Sequence, residues 1–350
     1  MAEVKPSHSI IGTTLAQDVY NEYGLLLLPA GAVLHLSDIR LLEAHHIQAV
    51  HVTSASEAPE QPLPILHWNE AEAAREYIAA VKETEHLFKQ IATGSVPPLH
   101  QFNSTFYPLL DQVLQRMGFL RFLYIKEGTE NYTYRHSLNV GIVAALIGKI
   151  AGRPQDEIYR LGQAGLLHDV GKMMIPDEIL SKPDRLSDEE YEIMKLHTLY
   201  GSELLLSMED ADEWIARCAL MHHERLDGSG YPHGCQKEDI PLECQIISVA
   251  DVFDAICTDR VYRRGTSPFH AANVLWELAC QGQLNPLIVS RFIQYIILLY
   301  VGSQALLSNG DHVEIIMIHT DEPMRPLVRR GDEFLDLREH RALTITRMIS

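Results

Sequence analysis

Seven side chains between positions 136 and 251 have the chemistry to bind transition-metal ions. Five are imidazoles and two are carboxylates, and each one continues an apolar stripe of a predicted helix or lies at a helix end. We therefore expect them to point into a helical bundle, where converging nitrogen and oxygen atoms suit divalent cations. The seven residues are His136, His168, Asp169, His197, His222, His223 and Asp251.

The adjacent pair His168 and Asp169 indicates how many metals such a site would hold. One carboxylate has two oxygens and can bridge two cations, while the imidazole beside it, about 100° round a helix, binds one of them. Seven ligands are too many for one tetrahedral ion and fit two metals that share a bridging water and Asp169. Two metals roughly 3.5–4 Å apart suit in-line displacement at phosphorus. The sequence therefore predicts a hydrolytic two-metal centre.

Two charged residues lie close to the predicted ligands along the chain. Lys172 follows Asp169 by three residues and shares its helical face if that helix persists, where its ammonium group would bind a phosphate oxygen or orient the hydroxide. Asp254 lies one turn beyond Asp251 and would hold a ligand histidine or the nucleophile in place. We assign catalytic roles to Asp169, Lys172 and Asp254.

Two further motifs favour a phosphate-containing substrate. The run 222–232 contains Asp-Gly, Ser-Gly and Tyr-Pro steps, which predict a tight loop in the pocket wall that includes Gly230, Tyr231 and Pro232. Tyr231 offers a ring for a base or a hydroxyl for a phosphate. Arg260 and Arg263, at i and i+3, form a two-pronged phosphate clamp, although a solvated basic helix end is the alternative interpretation.

Helix boundary signals flank the predicted ligands. Gly152 and Pro154 end the helix that carries His136. The start signals of the later helices are capping-box pairs or a proline, namely Ser187 with Glu190, Asp210 with Glu213, and Pro241. The fold class predicted from these signals is mainly α.

Four parts are predicted along the 350 residues. Residues 1–67 form a small mixed α/β module plus linker, and residues 68–124 form a helical connector through which a homodimer could pair. Residues 125–305 form the helical catalytic bundle, and residues 306–350 form a β-rich C-terminal extension.

The overall composition and charge limit the classes of partner and the location that we expect for this protein. The net charge is −18, with 47 acidic and 29 basic side chains, and such a surface repels nucleic acid polymers and anionic membranes. Five cysteines without a CxxC pair, and no visible secretory signal, favour a reducing cytoplasm. The most apolar run, Tyr295–Val301, is far too short to span a membrane.

These motifs together resemble the HD-GYP family, a branch of the HD-domain phosphohydrolases, over roughly residues 125–305. The resemblance rests on His136, on the HD pair with Gly171-Lys172, on Ile175-Pro176 and His197, on the complete HHExxDGxGYP run, and on Asp251 followed by the DRxYR ending. A generic HD phosphohydrolase lacks the long Gly-Tyr-Pro loop.

The resemblance implies an all-helical domain that hydrolyses cyclic di-GMP to the linear dinucleotide and onward to GMP at a centre of two or three metals, usually iron or manganese. By motif position the seven residues would be the metal ligands, and Lys172, Tyr231, Arg260 and Arg263 would line the substrate site. Some members carry an extra carboxylate ligand four residues before the first histidine. Here that position is Tyr132, and Glu130 is displaced by about half a turn, so we expect two metals.

Two other functions stay open at this stage. The same site would serve a mixed cyclic GMP-AMP dinucleotide or a nucleotide monoester, because residue spacing does not locate the groups that contact the base. A weakly catalytic receptor that signals through protein partners is the third hypothesis. The intact ligand set and Lys172 argue against it. The signal sensed by the N-terminal module is not readable from the sequence.

Overall fold

The computed structural model of the protein describes residues 2–21, 26–28, 30, 32, 34, 38–39, 42–43, 45–53, 70–115, 132–210, 212–258 and 268–349. Helices dominate these residues and strands lie towards both termini, which confirms the predicted fold class. Within the described segments, no helix combines the length and the apolar character needed to cross a bilayer.

The N-terminal module is built from short strands. They are β1 (Ala2–Val4), β2 (Thr14–Leu15), β3 (Val19–Tyr20), β4 (Leu26–Leu28) and β5 (Val50–Thr53). Strand β5 pairs antiparallel with both β1 and β2, and β3 pairs with β4. Leu15, Leu34 and Ile39 belong to a hydrophobic core within this module. The module contains none of the predicted ligands.

Two helices precede the predicted catalytic bundle, α1 (Glu70–Ala92) and α2 (Leu99–Gln115). Helix α2 begins directly after Pro97-Pro98. Phe88 on α1 meets Phe102 on α2 edge to face, with ring centroids 6.1 Å apart. The Tyr77 hydroxyl on α1 donates a hydrogen bond of 2.7 Å to Asn139 in the bundle. The two helices therefore pack on the bundle instead of standing apart from it.

The centre of the bundle is the pair α3 (Tyr132–Ile150) and α4 (Gln155–Leu167). Helix α3 is buried from His136 to Gly148, as expected of a helix that is apolar on all sides. The two helices touch through glycines: a Cβ atom on Gly165 would lie 2.8 Å from the Val140 carbonyl oxygen. This close approach brings the start of α3 and the end of α4 to the same side of the core.

The remaining helices surround this pair. They are α5 (Asp177–Leu180), α6 (Asp188–Lys195), α7 (His197–Ser207), α8 (Glu213–Met221), α9 (Leu242–Thr258), α10 (Pro268–Cys280) and α11 (Pro286–Leu298). The Ser187–Glu190 capping box of α6 is confirmed in both of its hydrogen bonds. The Asp210 cap predicted for α8 is wrong, because Asp212 caps that helix by accepting from the Ile215 amide. Asp210 instead has a left-handed backbone with φ of 71°.

The C-terminal extension is an antiparallel sheet of five strands in the order β10-β6-β7-β8-β9. Their bounds are β6 (Gln304–Leu307), β7 (His312–Met317), β8 (Leu327–Arg330), β9 (Glu333–Asp336) and β10 (Ile345–Ile349). Ala305, Val313 and Val328 belong to the same hydrophobic core as the helices. The predicted boundary at residue 305 falls inside β6, and the division into four parts stays a prediction.

Candidate metal centre

The structure brings all seven predicted ligands together in two neighbouring groups. The first, here the three-histidine group, contains Asp169, His197, His222 and His223. The second, the two-histidine group, contains His136, His168 and Asp251. Within each group the potential ligand atoms all lie within 4.8 Å of one another. Side chains separated by up to 115 positions along the chain therefore converge on one place.

Asp169 lies between the two groups and turns one oxygen towards each. Its Oδ1 lies 3.3 Å from Nε2 of His197 and 3.7 Å from Nε2 of His222. Its Oδ2 lies 3.3 Å from Nε2 of His168 and 3.6 Å from Nε2 of His136. A carboxylate divided in this way can bind two cations at once.

Three of the histidines lie at helix ends, and the helix backbone orients each of them. His168 follows the last residue of α4, His222 follows the last residue of α8, and His197 opens α7 directly after α6. In all three, Nδ1 donates to the carbonyl oxygen three residues earlier, at 2.7, 2.9 and 2.7 Å respectively. Because a carbonyl only accepts, the proton is on Nδ1, and the Nε2 lone pair is left for the site.

His136 is oriented by a carboxylate instead. It lies in the second turn of α3, and its Nδ1 is 2.7 Å from Oδ2 of Asp254, which is completely buried on α9. Its Nε2 lies 3.2 Å from Oδ1 of Asp251, one turn earlier on the same helix. The sequence predicted that Asp254 would hold a ligand histidine, and the structure places it in contact with His136.

Burial and charge set the protonation of the site. Burial, only partly offset by Asp169, lowers the pKa of His197 to about 3. Burial also lowers the pKa of His222 and His223. Burial alone would raise the pKa of Asp169, but the nearby Lys172 ammonium and the His168 imidazole hold it well below its usual range. At neutral pH the three-histidine group therefore offers neutral imidazoles and an ionised carboxylate, the forms that bind metals.

The two-histidine group is more strongly charged. Burial lowers the pKa of His136, but the hydrogen bonds that its ring donates to the carboxylates of Asp251 and Asp254 outweigh burial and raise that pKa to about 10. Against the effect of burial, His136 and His223 lower the pKa of Asp251. A cation entering this group would therefore displace a proton from His136.

Two buried atoms in the site have no hydrogen-bond partner among the described residues. They are Nε2 of His168 and Oδ1 of Asp169. Leaving a buried polar atom unpaired costs roughly 1–3 kcal/mol, and more for a charged group. Both atoms point to where the ligand sets meet, and imidazole with carboxylate is a donor set that divalent transition metals accept. The residues present therefore fit a bound metal.

Lys172 reaches the site by a route that the sequence did not predict. Helix α4 does not persist to Lys172, because it ends at Leu167 and a 3₁₀ helix follows at Val170–Met174. In that turn Gly171 packs so closely on the start of α7 that a Cβ atom would lie 2.0 Å from the His197 carbonyl oxygen. The Lys172 ammonium nevertheless lies 2.5 Å from Oδ2 of Asp169.

The loop after His223 is stabilised by Glu224, a residue that the sequence reasoning missed. Glu224 is buried, and its two carboxylate oxygens accept from the backbone amides of His233 and Cys235, at 2.8 and 2.9 Å. Gly230 passes so close to the chain that a Cβ atom would lie 2.4 Å from the His223 carbonyl oxygen. The position of Glu224 directly after the predicted ligands His222 and His223 was the signal that could have identified it.

Within this loop the Tyr231 ring lies against the ring of His223, with centroids 4.6 Å apart. The Tyr231–Pro232 peptide bond is cis. Tyr191 on α6 meets the Tyr231 ring edge to face at 6.3 Å, and the Lys195 ammonium lies 5.7 Å from the Tyr231 centroid. Tyr191 and Lys195 therefore belong to the rim of the site. The only signal in the sequence that could have identified them was that they lie close to His197 along the chain. Arg260 and Arg263 lie outside the described residues.

A cavity of about 490 Å³ opens onto the metal centre. Its walls include the predicted site residues His136, Lys172, His223 and Asp251. They also include residues with no role in the predicted mechanism, namely Tyr132, Arg225, Val252, Ala255, Ile256, His270 and Val274. The volume falls in the range of small-molecule sites, roughly 300–1,000 Å³.

Comparison with known proteins agrees with this geometry. Residues 123–287 match the HD domain family. The chain is 33% identical over 202 residues to a cyclic di-GMP phosphodiesterase of Pseudomonas aeruginosa, covering 57% of this chain and 48% of that protein. It is 38% identical over 163 residues to a 3'3'-cGAMP-specific phosphodiesterase of Vibrio cholerae, covering 46% of this chain and 35% of that protein.

A solved structure shares the fold. It is an HDG"Y"P protein from Bdellovibrio bacteriovorus, with a TM-score of 0.54 at 15% identity, covering 83% of this chain and 97% of that chain. The family match places an HD domain at residues 123–287, within the helical region of this chain. The chain has the motifs of the HD-GYP type, namely the HD pair and the complete HHExxDGxGYP run, and His168, Asp169, His222 and His223 of these motifs lie in the two ligand groups. The chain spans about half or less of the length of the two curated relatives.

Proposed function

We propose that this protein hydrolyses a cyclic dinucleotide, with cyclic di-GMP as the substrate, to the linear dinucleotide and onward to GMP. The observation that carries the proposal is the position of Asp169, whose Oδ1 and Oδ2 face different ligand groups. Such a carboxylate supports two divalent cations side by side, iron or manganese, in a ligand set of five imidazoles and two carboxylates. Bound there, the ions would lower the pKa of a water to roughly 7 and neutralise charge on the phosphate.

The residues around the ions then orient the substrate. The Lys172 ammonium, beside Asp169, lies in the cavity wall where it can donate to a non-bridging phosphate oxygen. Burial raises the pKa of the Tyr231 phenol, so Tyr231 stays protonated at neutral pH and can donate a hydrogen bond or present its ring. Glu224 and Gly230 fix the loop that carries it. We assign substrate contacts to Lys172, Gly230, Tyr231 and Pro232, and to Arg260 and Arg263.

The base preference is the finer part of the proposal. The identities to the cyclic di-GMP and cyclic GMP-AMP enzymes, 33% and 38%, are too similar to favour one substrate. The mixed dinucleotide is therefore the second candidate. Both are dianionic molecules with two phosphates and two bases, so both match a site that combines metals, cations and aromatic rings.

The test begins with protein purified without oxygen and analysed for metal content. Turnover of cyclic di-GMP and of 3'3'-cGAMP is then measured by chromatography, with Fe²⁺ or Mn²⁺ added to protein stripped by a chelator. We expect hydrolysis to depend on the added metal, and we expect the metal content to approach two ions per chain. Tight binding of either dinucleotide without turnover would instead support the receptor hypothesis, and turnover by the stripped protein would refute the metal mechanism.

The proposal also covers the oligomeric state and the location of the protein. We propose a homodimer that pairs through the helices at 68–124, where Ile78 on α1 is half-exposed. All five cysteines are free, which supports a cytoplasmic location. Light scattering coupled to gel filtration measures the mass in solution, and a mass of one chain would exclude the dimer.

A further inference from the structure

The lining of the cavity over the metal centre combines two kinds of residue. Lys172, Arg225 and the predicted ligands His136, His223 and Asp251 supply charge and hydrogen bonds. Val252, Ala255, Ile256 and Val274 supply apolar surface, and Tyr132 adds a phenol ring. A nucleotide has the same division, with a charged phosphate and a flat base of low polarity. A base in this cavity would therefore be buried against the apolar residues and Tyr132.

Tyr132 is aligned with a neighbouring ring in this cavity. It opens α3, one turn before His136, and its ring lies parallel to the His136 imidazole, with an interplanar angle of 7° and centroids 5.8 Å apart. The residue is nevertheless 44% exposed, although the helix behind it is buried. An exposed aromatic ring that lines a cavity and is aligned by a neighbour is preorganised to stack on a planar ligand.

We infer that Tyr132 is a substrate-binding residue whose ring stacks on one base of the cyclic dinucleotide while its phosphate lies at the metal centre. This inference rests on the proposed function and adds a contact that the phosphate chemistry does not require. Because every base presents a π-face, the ring strengthens binding without selecting guanine or adenine. Tyr132 therefore contributes to affinity for both candidate substrates equally.

The helix spacing supports a joint role with the metal centre. Tyr132 and His136 are four residues apart and so lie on the same face of α3. A base stacked on Tyr132 would have its ribose and phosphate directed along that face towards His136 and Asp251. In that arrangement the scissile phosphate and the base of one nucleotide would lie within a single turn of helix.

The experiment compares Tyr132→Ala and Tyr132→Phe with the wild-type protein in its metal-loaded form. Base–aromatic stacking contributes roughly 5- to 150-fold in affinity, so we expect Tyr132→Ala to raise KM by about ten-fold or more with a much smaller change in kcat. The factor should be the same for cyclic di-GMP and 3'3'-cGAMP. Tyr132→Phe, which keeps the ring, should restore the low KM. Inhibition by GMP provides a second measurement, because the inhibition constant of GMP should rise together with KM in Tyr132→Ala.

The controls separate this inference from the proposed function. Phe334→Ala removes an exposed aromatic ring from β9, away from the cavity, and should leave KM unchanged. Metal content is measured for each variant, because a Tyr132→Ala protein that loses metal would show that the ring only supports His136, and this would overturn the inference. An unchanged KM in Tyr132→Ala would also overturn the inference. In that case turnover by the wild-type protein would still support the proposed function. A wild type that hydrolyses neither dinucleotide would overturn both.

Discussion

Replacement of Asp169 by asparagine tests the metal centre at the residue on which it depends. Asparagine has the shape of aspartate but only one oxygen, so it cannot serve both ligand groups. The structure decides which group keeps that oxygen. Oδ2 lies 2.5 Å from the Lys172 ammonium, and an amide NH₂ there would bring two donors together. The amide oxygen will therefore stay beside Lys172, and the NH₂ will face His197 and His222.

The expected result of Asp169→Asn is the loss of one metal and not of both. The two-histidine group keeps His136, His168, Asp251 and the amide oxygen, whereas the three-histidine group is left with imidazoles and no carboxylate. A Lewis-acid cation contributes several kcal/mol to the transition state, and about 4 kcal/mol corresponds to roughly a thousand-fold in rate. We expect kcat/KM for cyclic di-GMP to fall by about that factor.

The assay pairs elemental analysis with single-substrate kinetics, and circular dichroism confirms that the variant folds. Asp188→Asn is the matched control, because Asp188 is an exposed carboxylate in the first turn of α6. A variant that retains both ions and the original rate would refute the bridging role of Asp169. A variant that loses both ions would refute the argument that Lys172 fixes the amide orientation.

Three further substitutions test the residues that support the centre. Lys172→Met should lower kcat/KM roughly 30- to 150-fold, because a charged hydrogen bond contributes about 2–3 kcal/mol, and an unaltered value would exclude contact with the phosphate. Asp254→Asn should weaken metal affinity roughly 10- to 100-fold in a titration of the stripped protein, with activity recovered at high metal concentration; equal affinity would contradict its role in orienting His136. Glu224→Gln leaves one of the two loop amides facing an NH₂ group. The free energy of unfolding, measured by thermal denaturation, should therefore fall by roughly 1–3 kcal/mol. An unchanged melting temperature would show that other contacts hold the loop.

The sequence predicted that the seven side chains come together, because each of them repeats a pattern that short-range rules can read. Histidines on apolar stripes must point inward, and the Ser187 capping box is specified by residues only three positions apart. The errors have the opposite cause. Two aspartates, at 210 and 212, could each cap α8, and only packing selects the second one. The end of α4 before Lys172 follows from the contact of Gly171 with α7, which joins residues 26 positions apart.

For the three histidines at helix ends, the orientation was the part that sequence reasoning could not supply, because its physical cause is visible only in the fold. The last carbonyls of a helix have no partner within the helix, so α4, α6 and α8 each present one to an imidazole three residues further on. His168, His197 and His222 are therefore oriented by helix ends alone. His136 lies inside α3, where carbonyl groups are already engaged in the helix, and it needs the buried Asp254 instead. This difference explains why the buried carboxylate of Asp254 contacts His136 at Nδ1, and not at the Nε2 that faces the site, and why that carboxylate lies on the helix that packs beside His136.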